Sequence, residues 1–201
     1  MIRVKICGIT SVEDALAAAA AGADAVGLVF VPASLRCVDA GRAAAICRAL
    51  GPFVNRVGLF MDAPTEYVEE VLEQVPLDTL QFHGHEAASY CESFGRPWIK
   101  AMAMGDADTP AWNGYPGALA LLLDSHGGGK LGGSGKTFDW GRIPDVSRPW
   151  ILAGGLSTDN VDEACRQLRP DAVDVSSGVE IRPGIKDHEA MNEFIKAVRH
   201  A

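Results

Sequence analysis

Along the chain, short runs of β-branched and apolar residues alternate with longer segments whose apolar positions recur at helical spacing. The runs that predict strands are Arg3–Cys7, Ala25–Phe30, Asn55–Phe60, Thr79–Phe82, Pro97–Ala103, Ala118–Leu123, Trp150–Ala153 and Ala172–Val175. Between them, Ser11 with Asp14, Thr65 ahead of Val68 to Leu72, and Ser157-Thr158-Asp159 ahead of Val161 to Leu168 predict helix starts. No linker or low-complexity tract interrupts the alternation, so one domain is expected over residues 1–201. Eight strand–helix units with short connections predict a parallel sheet, and about eight strands is the number that closes a barrel. An open doubly wound sheet needs a glycine-rich turn directly after its first strand, and Cys7-Gly8-Ile9-Thr10 has no GxGxxG. The expected fold is α/β, a single-domain (β/α)8 TIM barrel.

The alternation within strands says which way side chains face. Ile2, Val4 and Ile6 share one face of the first strand, with Arg3, Lys5 and Cys7 on the other. In the fourth, Leu80 and Phe82 oppose Gln81 and His83; in the fifth, Ile99 and Ala101 oppose Lys100; in the eighth, Val173 and Val175 oppose Asp174 and Ser176. The apolar faces are expected to meet the helices and the polar ones, Lys100 included, to point into the lumen. Charged groups in a packed interior are expensive unless paired, and barrel sites lie at the C-terminal ends of strands. The polar set is therefore a candidate site.

Composition narrows the chemistry. Of 201 residues, 48% are hydrophobic and 22% charged, as in an ordinary globular protein. The net charge of −8 argues against nucleic acid and anionic membrane as partners. No apolar run reaches the roughly 18 residues of a membrane span. The start MIRVKICGIT lacks the layout of a signal peptide, and the apolar stretch Ala15 to Ala21 is short and follows Glu13 and Asp14. Five cysteines without a CxxC pair predict neither disulfides nor a zinc site, and hence the cytoplasm.

Among the chemistry-bearing residues, Cys7 ends the first strand before Gly8, which lets the backbone turn sharply. A buried cysteine is often a small hydrophobe, but Lys5 on the same face would favour a thiolate able to act as base or nucleophile. Asp124 follows an apolar strand at the mouth. It can be a turn or capping residue, or a desolvated carboxyl with raised proton affinity acting as a general acid. Gly127 to Thr137 suggests a phosphate loop, but the Walker spacing requires glycine where Lys130 stands, so a mobile glycine-rich lid fits better. Gly154-Gly155 and Ser176-Ser177-Gly178 follow the seventh and eighth strands, where barrels frequently bind phosphate through backbone N–H groups. Arg36 is a solvated cation unless it points inward, where its fork suits a carboxylate. His83, His85 and His126 have no metal-site spacing.

These residues lie in pieces that resemble the phosphoribosylanthranilate isomerase family over nearly the whole chain. The pieces are Lys5-Ile6-Cys7-Gly8-Ile9-Thr10, Gln81-Phe82-His83-Gly84, Leu123-Asp124-Ser125, Gly132 through Trp140, Leu152-Ala153-Gly154-Gly155-Leu156, and Asp174 through Glu180 with Pro183-Gly184 and Lys186-Asp187. The chain departs from the family's usual pattern at Leu35, Cys37, His85 and Ser134. The resemblance implies an Amadori rearrangement in tryptophan biosynthesis, with Cys7 as general base, Asp124 as general acid and Arg36 on the anthranilate carboxylate. It also implies Gly154, Gly155, Ser176, Ser177 and Gly178 on the phosphate, with His83 and Asp174 completing the substrate-binding set. No metal and no cofactor is expected. The partner is a small-molecule phosphosugar, and the chain a monomer or homodimer. A related isomerase of histidine biosynthesis typically uses two aspartates, against which Cys7 speaks. A non-catalytic phosphate-binding barrel would share the turns without needing Cys7 and Asp124.

Overall fold

The computed structural model describes residues 1–104, 112–124, 143 and 146–201. Eight parallel strands close into a barrel in sequence order. They are β1 (Arg3–Cys7), β2 (Ala25–Val29), β3 (Asn55–Phe60), β4 (Thr79–Phe82), β5 (Trp98–Ala103), β6 (Ala120–Asp124), β7 (Trp150–Ala153) and β8 (Ala172–Val175). Closure comes from β1 against β8, with Arg3 opposite Ala172 and Ile6 opposite Val175. Helices α1 (Val12–Ala21), α2 (Ala40–Ala49), α3 (Thr65–Gln74), α4 (Ala88–Glu92), α5 (Val161–Leu168) and α6 (His188–His200) follow β1, β2, β3, β4, β7 and β8, and a 3₁₀ turn at Trp112–Gly114 separates β5 from β6. A hairpin of β9 (Glu180–Arg182) and β10 (Ile185–Lys186) comes between β8 and α6. Strands of three and two residues carry no readable period, and the sequence reading does not contain them.

The helix starts follow local chemistry. Ser11 caps α1 by accepting from Asp14 N at 3.0 Å. For α3 the boundary residue is Pro64, with Thr65 the first helical residue. For α5 it is Asn160 rather than the preceding Ser157-Thr158-Asp159, because the Asn160 side chain turns back to accept from Ser157 N.

Separate apolar clusters result from the alternation. Val4, Ile6, Leu80, Phe82, Leu121, Leu123, Val173 and Val175 face outward into the large cluster shared with the helices. Ile99, Ala101, Leu122, Ile151 and Ala153 form a smaller cluster inside the ring. The fifth strand is thus inverted relative to expectation. Residues in register across a parallel pair share a face, and Phe82 pairs with Lys100 while Gln81 pairs with Ile99. Lys100 therefore lies on the helix side, where Glu86 neutralises it at 3.0 Å. Asp124 ends β6 instead of following it. In register with Ala103 and Ala153, it faces the lumen.

Candidate active site

The lumen opens at the strands' C-terminal ends into a cleft holding about 830 Å³ of space, lined by side chains from several strands. Cys7 lies in its floor, 6% exposed. Gly27 is its register neighbour on β2, and a Cβ there would lie 2.7 Å from Cys7 Sγ. That glycine makes room for the thiol.

Lys5, one lumen position below, is buried and donates to Asp174 Oδ1 at 2.8 Å across the β1–β8 closure. Burial pushes the Cys7 thiol up; Lys5 and Lys186 pull it down and Asp174 pushes it further, leaving it above its ordinary value. Lys5 acts in the expected sense, but it does not leave the resting thiol acidified, because burial outweighs it and Asp174 adds to the rise. For Lys5 itself burial is the largest influence and lowers its pKa, yet Asp174 and Cys7 outweigh it and the ammonium is held above the usual lysine value.

His83 and Asp124 face one another from the rim. His83 Nε2 lies 3.2 Å from Asp124 Oδ2. On the ring's other side Gln81 Nε2 faces Nδ1 at 3.2 Å. An amide donor against Nδ1 leaves the ring proton on Nε2, directed at the carboxylate. His85 points elsewhere, to exposed Asp62.

Arg36 projects over Gly8, whose φ of +75° and lack of Cβ allow that close approach. Its guanidinium is held by Glu180, with Nε to Oε1 at 2.9 Å and an Nη to Oε2 at 2.6 Å. Lys186, fully buried, donates to the same Glu180 at 2.8 Å and to the Ser176 carbonyl at 3.1 Å. Burial pushes Glu180 up, but Arg36 and Lys186 overcome it and hold the carboxyl below its ordinary range. Burial draws the Lys186 ammonium down despite Glu180.

The turns after β7 and β8 complete the wall. Gly154 and Gly155 both have left-handed φ, of 83° and 66°, so main chain rather than side chains borders the cleft there. Asn160 Nδ2 fixes the turn through the Gly155 carbonyl at 2.9 Å. Asp174, Ser176 and Ser177 also line the cleft. Gly178 plays a different part, because a Cβ there would collide with the Leu156 carbonyl; it lets the two turns pack together. Among the described residues, Ser176 Oγ and Gln81 Oε1 are buried without a hydrogen-bond partner. Both belong to cleft-lining residues, where a polar ligand would relieve the cost of their burial.

The cleft thus brings together Cys7, Arg36, His83, Asp124, Asp174 and both turns. Ser125, His126 and the glycine-rich stretch 127–137 lie outside the described residues. No group of His, Cys, Asp and Glu suited to a metal exists among the described residues. Sequence reasoning placed Gln81 among the polar lumen residues, where it lines the cleft, but missed the supports Asn160, Glu180 and Lys186, and the space at Gly27. A glycine inside an apolar strand was the available signal for the last; the others depend on tertiary pairing.

The arrangement, an acid and a thiol beside an anion-friendly wall, can be set against known proteins. A family described as N-(5'phosphoribosyl)anthranilate (PRA) isomerase matches residues 4–197. The N-(5'-phosphoribosyl)anthranilate isomerase of Acidithiobacillus ferrooxidans is 57% identical over 201 residues, covering 99% of this chain and 98% of its own. The crystal structure of phosphoribosyl anthranilate isomerase from Thermotoga maritima aligns over 100% of both chains with a TM-score of 0.90 and 42% identity. A structure of such an isomerase in complex with reduced 1-(o-carboxyphenylamino)-1-deoxyribulose 5-phosphate aligns over 100% of both chains, with a TM-score of 0.84 and 39% identity.

Proposed function

This chain belongs to the N-(5'-phosphoribosyl)anthranilate isomerase family, and from that premise we propose that Cys7 and Asp124 carry out its Amadori rearrangement as general base and general acid. The chain is an isomerase of tryptophan biosynthesis acting on N-(5'-phosphoribosyl)anthranilate. The observation that carries the catalytic reading is that a thiol and a carboxyl reach one cleft from the lumen faces of β1 and β6, beside two glycine-rich turns.

In this mechanism Asp124 gives its proton to the ribose ring oxygen as the anthranilate nitrogen lone pair expels it, and the sugar opens to an iminium. His83 Nε2, 3.2 Å from Asp124 Oδ2, orients the carboxyl group. Cys7, as thiolate, then takes the proton from C2, which the iminium has acidified. The resulting enolamine tautomerises to the ketone. The substrate's own nitrogen is the electron sink, so the sequence of steps calls on no metal and no cofactor. Arg36, with Nε and one Nη edge committed to Glu180, has its end-on N–H pair for the anthranilate carboxylate. Gly154, Gly155, Ser176 and Ser177 receive the phosphate, with Gly178 keeping the turns in contact. Asp174 acts at the substrate's sugar end and through Lys5. As a cytoplasmic monomer or homodimer the chain requires only the phosphosugar as partner.

The test is steady-state turnover of N-(5'-phosphoribosyl)anthranilate by folded Cys7→Ala and Asp124→Asn. Each is expected to lose about 10²–10⁴ in kcat, the usual worth of a positioned acid or base. Variants that keep near wild-type kcat would remove these roles.

A further inference from the structure

A buried ion pair on the outside of the barrel has no part in the proton transfers above, and its geometry centres on one residue of the site. We propose that Lys100 and Glu86 are positioning residues, which fix the main chain on both sides of His83 and so aim its ring at Asp124.

Lys100 is 1% exposed on the outer face of β5, where the neighbouring outward residues Trp98 and Leu121 are apolar. Its three N–H donors each have a partner: the Phe82 carbonyl at 3.3 Å, the Gly84 carbonyl at 2.6 Å and Glu86 Oε2 at 3.0 Å. The two carbonyls belong to the residues immediately before and after His83. Glu86 completes the bracket. It accepts from Gly84 N with both oxygens, at 3.1 and 2.9 Å, and from Asp62 N at 2.8 Å, which ties the β4 loop to the β3 loop. The Tyr115 hydroxyl donates to the Glu86 carbonyl at 3.1 Å, and its ring lies beneath the ammonium at 5.5 Å. His83 N itself donates to the Phe60 carbonyl at 2.9 Å. The main chain is therefore held at residues 82, 83 and 84.

Apolar residues in place of a buried pair of this kind often preserve or raise stability. What they cannot supply is the set of hydrogen bonds to the peptide groups flanking His83. The pair therefore specifies a geometry more than it adds stability. A ring whose Nε2–H must meet a carboxylate at 3.2 Å needs its backbone fixed to within a fraction of an ångström.

This inference rests on the reading of Asp124 as the acid. Its test uses Lys100→Met and the isosteric Glu86→Gln, measured for thermal stability, kcat, KM and the His83 ring ¹⁵N shifts, which report its tautomer. In both variants we expect kcat to fall by about 10-fold or more with KM changed less than about threefold, and the Nε2–H tautomer to lose population. In a His83→Asn background the same substitutions should cost at most about twofold, because the group they aim is gone. Folded variants with kcat within about twofold of wild type, an unaltered His83 tautomer, or a loss undiminished in the His83→Asn background would each overturn the proposal. Should Lys100→Met not fold, Glu86→Gln decides alone. Asp124→Asn with unimpaired turnover would instead remove the acid reading itself.

Discussion

Cys7 sits among charges that pull its proton affinity in opposite directions, so single substitutions displace it in a known sense. Replacing Lys5 with Met removes the largest influence that lowers the thiol and leaves Asp174 to raise it. If the thiolate is the base, the rise of kcat/KM with pH should move to higher pH in Lys5→Met. A pH profile coincident with wild type would contradict this. The same variant should lose stability on the order of 3 kcal/mol, since it strands a buried carboxylate. The sign of the linkage is fixed by the raised Lys5 pKa: its contribution is complete below the unfolded lysine pKa and fades as pH climbs through the folded one. Gly27→Ala makes a different demand, because a Cβ 2.7 Å from Cys7 Sγ and 3.1 Å from Lys5 Nζ must displace one of them. We expect kcat to drop at least about 10-fold while stability falls by about 1–3 kcal/mol; unchanged kcat would show that the thiol has room to spare.

At the scale of elements, Asn160 joins the start of α5 to the Gly154-Gly155 turn through its bonds to Ser157 N and the Gly155 carbonyl. Asn160→Ala should loosen the phosphate wall, raising KM and the inhibition constant of inorganic phosphate by roughly 10-fold with kcat little altered. Competition kinetics would reveal it, and equal inhibition constants would refute it. Elements also mark where sequence was informative. The bounds of β1, β3, β4, β7 and β8 were readable because alternation or a short apolar run ends abruptly in each. The direction of β5 was not. Alternation separates two faces without saying which is inside, and Lys100 looked like a lumen residue because its neutralising partner, Glu86, lies in a loop outside the strand. Cys7, His83 and Asp124 were legible as candidates from their place at strand ends. The pairing of Lys5 with Asp174 and of Arg36 with Glu180 was not, since each joins residues brought near only by closure or by the unread β9–β10 hairpin.

For the molecule as a whole, the end opposite the cleft carries its own tie. Arg199 near the end of α6 donates to the Ile2 carbonyl at 2.5 Å, the Gly22 carbonyl at 3.1 Å and Asp24 Oδ2 at 2.7 Å, while Arg3 takes Asp24 Oδ1. Burial raises Asp24, but the Val4 amide, Arg3 and Arg199 prevail and hold it below its ordinary value. Its stabilising effect is therefore present above the unfolded carboxyl pKa and is lost as pH falls through the folded one. Arg199→Ala should lower the melting temperature by a few degrees, about 1–2 kcal/mol, and flatten the acid limb of stability without changing kcat. Calorimetry across acid pH would show it, and an unshifted melting curve would exclude the tie. Finally, Lys5 and Asp174 are 169 residues apart, so the thiol acquires its electrostatic setting only when the last strand docks on the first. Cys7 is consequently a clock for ring closure. In pulse-labelling of a refolding chain, the moment it stops reacting with an alkylating agent should mark completion of the barrel, a contact between strands at opposite ends of the sequence.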